Sequence, residues 1–417
     1  MRCGLLGQSL KHSYSPAIHK ALGGGYDYEL FEIEPENLET FLKSKVWDGL
    51  NVTIPYKQAV IPYCAELSET ARAIGSVNTI LRRPDGSLFG DNTDAAGFKA
   101  MLRRSGCALA GKKVLVLGSG GSSLTVCHVL QEERAGEIIV ISRKGEHSYE
   151  TLDHHTDAQV IVNTTPLGMY PHVGECSVDI TQFPSLECVL DLVYNPARTR
   201  LLLDAEAQGI LHENGLSMLV GQAAAAANLF VGDDAHIMPC GYIVPFDDVT
   251  YILRQQMENL ILIGMPGSGK STIGQLLADC LDRPFVDTDA EIERLAGTTI
   301  PEIFEHEGED AFRIRETEVL ARWGKESGLV IATGGGVVTR EENYSHLHQN
   351  GRLVFLERER KHLDRTDRPL SQGDLQELYN NRLPKYQRFA DCTVQNAGLA
   401  RVVANKVLEA FHETFRD

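Results

Sequence analysis

Leu260-Ile261-Leu262-Ile263 runs directly into Gly264-Met265-Pro266-Gly267-Ser268-Gly269-Lys270-Ser271, and no other stretch constrains the fold so tightly. The apolar run is a strand, and the loop after it fits G-x-x-x-x-G-K-[ST]. Its glycines let backbone N–H groups face a phosphate at the N-terminus of the next helix. Lys270 reaches the β- and γ-phosphates and the Ser271 hydroxyl is placed for Mg²⁺, while Gly267, Ser268, Gly269 and Thr272 complete the nucleotide loop. Such a loop works between a strand and a helix, so this part of the chain is α/β. The remainder agrees, because short Val/Ile/Leu-rich runs alternate with longer helical stretches, the rhythm of βαβ units and parallel sheets.

A second glycine loop lies upstream. Lys113–Leu117 reads as a strand, followed by Gly118-Ser119-Gly120-Gly121-Ser122-Ser123 and an apolar helix. The next strand, Glu137–Ile141, arrives about 20 residues on, the spacing of a dinucleotide-binding unit. Folds that bind NAD place a carboxylate at that strand end. Here Ser142-Arg143-Lys144 stands instead, and a guanidinium pairs with a 2′-phosphate that a carboxylate would repel, which favours NADP. Pro245–Met257 has the pattern of a helix with Asp247 and Asp248 in its first turn, suiting the helix dipole. A new strand follows at once, so the domain boundary falls near residue 257 with a very short junction.

Charge and cysteine usage narrow the function classes. With 57 Asp+Glu against 40 Lys+Arg the net charge is −17. Both sides of residue 257 carry an acidic excess, which leaves no electrostatic footprint for nucleic acid or an anionic membrane surface. No apolar run approaches the ~18 residues of a membrane span, and Met1–Gly7 lacks a signal-peptide h-region. Nine cysteines without a C-x-x-C imply reduced thiols and a cytoplasmic location. His147, His154 and His155 lack supporting cysteine or carboxylate ligands and read as solvent-facing, not as a metal site.

Downstream of residue 260 more motifs follow. Phe285-Val286-Asp287-Thr288-Asp289 reads as a strand ending in two carboxylates, which at i and i+2 face one side. Then come Phe312-Arg313 with Glu316, Thr333-Gly334-Gly335-Gly336, Arg368-Pro369-Leu370, and Arg382 with Tyr386. In this order the set resembles shikimate kinase over nearly all of 260–417. A gluconate or nucleoside-monophosphate kinase shares the P-loop, but the Asp-x-Asp, triple-glycine and two-arginine set points away from both. The resemblance implies Asp287 near Mg²⁺ with Ser271, and Asp289 on the acceptor hydroxyl. It implies Arg313 and Arg382 on the shikimate carboxylate, a planar bidentate task that suits guanidinium. Glu316 then orients Arg313, Gly334, Gly335 and Gly336 line the acceptor site, and Arg368 closes from a lid. Arg365 is a weaker candidate for the adenine.

Residues before 257 carry an equally ordered set: Ser13-Tyr14-Ser15-Pro16, Asn51-Val52-Thr53 with Pro55 and Lys57, Ser76-Val77-Asn78-Thr79, and Gly90-Asp91-Asn92-Thr93-Asp94. After the glycine loop come Asn163 with Thr165-Pro166-Leu167-Gly168-Met169, and Gly215 with Met218-Leu219-Val220 and Gln222-Ala223. Together they resemble shikimate dehydrogenase across about 1–257. Hydride delivery to a ketone builds charge on oxygen, so a proton must arrive with it. The resemblance implies that Lys57 supplies it with Asp94 alongside, and that Ser13 and Ser15 hold the substrate carboxylate. It places Thr53, Asn78, Asp94 and Gln222 on ring hydroxyls with Tyr194 nearby, and Gly215 and Met218 against the nicotinamide. Ser122, Leu124 and Lys144 depart from the family pattern at the cofactor loop.

The expected architecture is therefore α/β throughout. A substrate subdomain (1–100 and 228–257) and a Rossmann NADP-binding subdomain (101–227) precede a P-loop kinase domain with a parallel sheet (258–417). The expected function is NADPH-dependent reduction of 3-dehydroshikimate followed by MgATP-dependent phosphorylation of shikimate. The cofactors are NADP(H), ATP and Mg²⁺, the partners are small-molecule substrates, and a homodimer is compatible with the sequence. Two rivals are a quinate/shikimate dehydrogenase fused to a kinase, disfavoured by Arg143, and a non-catalytic shikimate sensor. A sensor is expected to lose Lys57, Lys270 or Asp289, and all three are present.

Overall fold

The computed structural model describes residues 1–10, 13–232, 245–359 and 375–415. They divide into two compact units, one of residues 1–167, 176–194 and 204–252, the other of residues 168–175, 195–203 and 253–417.

The first unit is built on two sheets. Its N-terminal sheet comprises β1 (Arg2–Gly7), β2 (Asp27–Glu32), β3 (Gly49–Val52), β4 (Glu66–Leu67), β5 (Thr79–Arg82) and β6 (Leu88–Asp91), in the order β2-β1-β3-β5-β6-β4. β1, β2 and β3 run parallel, while β5 is antiparallel to both its neighbours. One side of this sheet buries Leu6, Leu50, Val52, Ile80 and Trp47 in a common core. Each such side chain contributes on the order of 1.5–3 kcal/mol on leaving water.

The second sheet is wholly parallel: β7 (Lys113–Leu117), β8 (Glu137–Ile141), β9 (Val160–Asn163), β10 (Cys188–Asp191) and β11 (Leu211–Asn214), ordered β11-β10-β9-β7-β8. Its inner strands β7, β9 and β10 are near-continuous apolar runs because helices cover both faces. The strand order reverses between β7 and β9, which opens a crevice at their carboxyl ends. The helices Asp94–Ser105 and Leu216–Val231 pack tightly against each other. Gly97 and Gly221 allow the approach, since a Cβ on Gly97 would fall 2.4 Å from the Met218 carbonyl and one on Gly221 2.8 Å from Ala100 Cβ. Leu216–Val231 also reaches the first sheet, where Phe230 fills the space beside Gly49.

The second unit holds a parallel sheet of β12 (Asn259–Ile263), β13 (Phe285–Asp287), β14 (Val330–Ala332), β15 (Gly351–Glu357) and β16 (Cys392–Gln395), ordered β13-β14-β12-β15-β16. β12 is central and fully buried, and the loop after it opens where the strand order reverses. The helix expected at Pro245–Met257 is present as Phe246–Met257 with both aspartates in its first turn. Among the described residues no helix is long and apolar enough to cross a membrane.

Candidate active sites

In the first unit, β6 ends at Asp91 and the helix Asp94–Ser105 begins three residues later, so Asp94 sits in a first turn where the dipole favours a carboxylate. The loop after β3 turns back over it. Lys57 Nζ donates to Asp94 Oδ2 at 2.5 Å, and Asn78 Nδ2 donates to Asp94 Oδ1 at 2.8 Å. Asn78 is itself held, since its Oδ1 accepts the Thr93 backbone N–H at 2.7 Å. The Lys57 and Asp94 side chains are 29% and 16% exposed, which leaves the ammonium open to solvent. Thr53 begins the same loop, its N–H donating to the Leu6 carbonyl. Ser15 opens the helix Ser15–Leu22, and its N–H donates to Ser13 Oγ at 3.2 Å. Tyr14, between them, meets Tyr194 edge-on at 5.9 Å, which brings Tyr194 to the serine pair. Gln222 lies on the helix Leu216–Val231 opposite Gly97, one turn from Asp94.

Next to these residues lies the crevice of the second sheet. Gly118 takes φ 102°, and a Cβ there would fall 2.8 Å from Thr165 Cγ2, so the β7 loop lies flush on the segment after β9. Ser119, Gly120, Gly121 and Ser122 are exposed where the helix Gly121–Glu132 starts, with no side chain capping its first N–H groups. That arrangement fits a pyrophosphate. Arg143 and Lys144 are exposed in a loop closed by the Ser142 N–H on the His147 carbonyl at 3.0 Å, a loop that also carries Glu146. Gly215 admits no side chain, because a Cβ would fall 2.0 Å from the Leu192 carbonyl oxygen. Met218 is buried one turn on. The histidine group departs from expectation: His155 is only 8% exposed and its Nε2 lies 3.2 Å from His147 Nδ1, while His154 remains exposed.

In the second unit Gly264, Gly267 and Gly269 all take positive φ, so the β12 loop curls as the motif requires. Lys270 Nζ donates to the carbonyls of Gly264 and Met265 at 2.8 and 3.0 Å. Ser271 Oγ donates to Asp287 Oδ2 at 2.6 Å, a pair of hard oxygen donors that suits Mg²⁺. The strand reading holds for Asp287 and is corrected for Asp289. β13 ends at Asp287, whose Oδ1 accepts the Asp289 and Ala290 N–H groups and caps the helix Thr288–Ala296. Asp289 therefore stands in a helix, not a strand, yet it still faces the triple glycine, since a Cβ on Gly334 would fall 2.6 Å from Asp289 Oδ1. Gly335 lies against Pro266 of the nucleotide loop, and its carbonyl accepts from Arg382 Nη1 at 2.8 Å and Tyr386 Oη at 2.5 Å. A Cβ on Gly336 would fall 1.8 Å from Arg313 Nη1. Arg313 is clamped by Glu316 at 2.7 Å and Glu309 at 3.0 Å. Burial raises the Glu316 carboxyl above its ordinary value, and Arg313 only partly offsets this. Arg368 and Arg365 lie outside the described residues.

Two supports of the nucleotide loop escaped sequence reasoning. Asn396 Nδ2 donates to the Ser268 carbonyl at 2.6 Å, and Arg358 Nη1 donates to the Gly267 carbonyl at 3.3 Å. Each follows the end of a parallel strand, which is the only signal that could have found them.

Both parts of the chain resemble known proteins. Residues 266–412 match the shikimate kinase family model, and residues 5–80 match that of the shikimate dehydrogenase substrate binding domain. A shikimate dehydrogenase (NADP(+)) of Clostridium perfringens is 36% identical over 249 residues, covering 55% of this chain and 92% of that protein. Among solved structures, a chorismate mutase/shikimate 5-dehydrogenase fusion protein from Clostridium acetobutylicum superposes with a TM-score of 0.55 at 37% identity, over 60% of this chain and 96% of that one. The shikimate 5-dehydrogenase of Thermus thermophilus in complex with NADP(H) and shikimate gives 0.50 at 33% identity, over 55% and 93%.

Proposed function

The chain belongs to the shikimate dehydrogenase family and carries a shikimate kinase domain, and from that premise we propose that it reduces 3-dehydroshikimate to shikimate with NADPH and then phosphorylates the same hydroxyl with MgATP. The observation that carries the reading is the Lys57–Asp94 pair, joined at 2.5 Å from positions 37 residues apart.

In the reduction, Ser13 and Ser15 hold the substrate carboxylate while Thr53, Asn78, Asp94 and Gln222 take its hydroxyls, with Tyr194 alongside. Bound NADPH supplies the hydride, and its pyrophosphate belongs on Gly118–Ser122, its 2′-phosphate on Ser142, Arg143 and Lys144, and its nicotinamide against Gly215 and Met218. Lys57 gives a proton to the ketone oxygen as charge develops there and is reprotonated from solvent, to which it is open. Asp94 aims the ammonium at the ketone oxygen.

In the phosphorylation, Arg313 and Arg382 hold the shikimate carboxylate beside Gly334, Gly335 and Gly336, and Asp289 accepts the proton of the acceptor hydroxyl. Gly267, Ser268, Gly269 and Thr272 cradle the nucleotide, and Lys270 exchanges its two carbonyls for phosphate oxygens. Ser271 and Asp287 hold Mg²⁺, which when bound neutralises charge on the phosphates. We assign the chain to the cytoplasm.

Fusion raises the local concentration of shikimate, but a net charge of −17 repels that anion, so transfer between sites is by free diffusion. A coupled assay without a lag, and without dilution by added labelled shikimate, would overturn that. The function itself is tested by mass spectrometry of the purified chain with 3-dehydroshikimate, NADPH and MgATP. Shikimate 3-phosphate is the expected product. Shikimate that accumulates unphosphorylated would sink the kinase assignment, and unchanged substrate that of the dehydrogenase.

A further inference from the structure

A line of buried polar side chains crosses the N-terminal sheet and ends at the proposed reduction site. Tyr28 on β2 reaches over β1, and its hydroxyl donates to Asn51 Oδ1 at 2.8 Å. An amide that accepts through oxygen on that side presents nitrogen on the other. Asn51 Nδ2 accordingly donates to Thr79 Oγ1 at 3.2 Å, and the Thr79 hydroxyl faces Asn78 Oδ1 at 3.1 Å and Thr93 Oγ1 at 3.0 Å, the latter donating in its turn to Asn78 Oδ1 at 3.2 Å. Asn78 Nδ2 donates in turn to Asp94, the partner of Lys57. Every donor in the series points toward the Asp94 carboxylate. Asn51, Thr79 and Asn78 are 4%, 1% and 3% exposed, so water does not substitute for a missing member.

The sense of this chain is anchored at two places. At the near end the Thr93 backbone N–H fixes Asn78. At the far end the Tyr28 hydroxyl, with His19 alongside, opposes reversal of the Asn51 amide, which would turn the Thr79 hydrogen away from Asn78. The Tyr28 ring stacks on His19 at 3.9 Å and 12°.

We propose that Tyr28 is a positioning residue for the reduction, its hydroxyl setting the direction of the Asn51–Thr79–Asn78 hydrogen-bond chain that holds Asp94 against Lys57. The inference rests on the dehydrogenase reading given above. Tyr28→Phe removes the hydroxyl and keeps the ring. The expected result is a fall in the reductase kcat of about threefold to tenfold, the worth of one buried hydrogen bond. KM for NADPH and for 3-dehydroshikimate should stay within twofold, and the kinase rate of the same chain should not change. Because Tyr28 acts only through Thr79, Tyr28→Phe added to Thr79→Val should slow the enzyme no further than Thr79→Val alone. Tyr26→Phe, which removes a neighbouring buried hydroxyl outside the chain, should leave kcat intact, and this comparison decides the matter even where Thr79→Val does not fold. Additive effects, a loss confined to KM, or a Tyr26→Phe as slow as Tyr28→Phe would overturn the proposal. So would a Tyr28→Phe at the wild-type rate. A wild-type chain without reductase activity would instead remove the dehydrogenase reading and this proposal with it.

Discussion

The Lys57 ammonium and the Asp94 carboxylate meet at 2.5 Å from a loop and a helix start that share no local sequence. Asn78 takes the second carboxylate oxygen at 2.8 Å, so Asp94 has little freedom to turn away. A proton donor held this firmly beside a ketone is worth about 10²- to 10⁴-fold in rate. Lys57→Met should lower the reductase kcat by that range, and Asp94→Asn should cost a comparable amount. The double variant should be little worse than either, because the two groups act as a unit. Stopped-flow NADPH oxidation measures all three, and kinase turnover by the same preparation reports correct folding. A Lys57→Met enzyme with wild-type kcat would remove Lys57 from the chemistry.

Gly336 offers a steric probe of the acceptor site. Its φ is −99°, so alanine meets no backbone strain, but a Cβ would stand 1.8 Å from Arg313 Nη1. Arg313 cannot yield easily, because Glu316 and Glu309 hold it. Gly336→Ala should therefore displace the guanidinium and raise KM for shikimate about 10- to 100-fold, the worth of a charge-assisted hydrogen bond. KM for ATP and the reductase rate should be unchanged. Unaltered shikimate affinity would place the carboxylate elsewhere.

What could be read before the structure follows a physical divide. The glycine loops were legible because phosphate binding needs its residues within a few positions, whereas Lys57 and Asp94, 37 residues apart, were paired only through the family resemblance. Asp289 was misplaced for a local reason: the Asp287 carboxylate captures two N–H groups, so the helix starts where the strand pattern still seemed to run. The Tyr28–Asn51 contact was invisible because β2 and β3 are not neighbours but flank β1, and pairing order is not written in any one segment. His155 looked polar and exposed, yet its ring is buried beside His147. Residues 168–175 and 195–203 follow β9 and β10 in sequence, although their contacts belong to the second unit, which no local pattern in the segments announces.

His19 sets an acid limit on the first unit. Burial lowers it to about 3, with a hydrogen bond to the Asn51 oxygen opposing only in part. The unfolded chain protonates it near 6.5, so folding excludes a proton between those values. Stability is full above about pH 6.5 and falls by up to about 1.4 kcal/mol per unit as pH drops toward 3. His19→Gln should flatten that slope. Urea unfolding at pH 7 and pH 5 can be followed on Trp47 alone in a Trp323→Phe background, since the chain has two tryptophans. Equal slopes with and without His19 would show that other groups govern the acid response.

Glu258 makes the corresponding demand on the second unit. It is buried at the start of β12 between Arg198 at 3.3 Å and Arg352 at 3.0 Å, and Arg198 also donates to the His348 carbonyl at 2.9 Å. Burial pushes its carboxyl up, but Arg352, Arg198 and Arg254 together outweigh this and hold it below the ordinary value. A carboxylate depressed in the folded state lends stability above its unfolded pKa, and that stability is lost as pH falls through the folded value. Glu258→Gln keeps the shape and removes the charge that compensates two buried guanidinium groups. It should cost about 3–5 kcal/mol, read from Trp323 in a Trp47→Phe background, and the Trp47 transition in a Trp323→Phe background should stay where it was. Replacing the three members together with apolar residues, as in Arg198→Met, Glu258→Leu and Arg352→Met, should recover much of the loss, because the penalty lies in the unpaired charges rather than in the missing pair. A triple variant no more stable than Glu258→Gln would instead mean that the cluster contributes through its hydrogen bonds to the chain around residues 195–203.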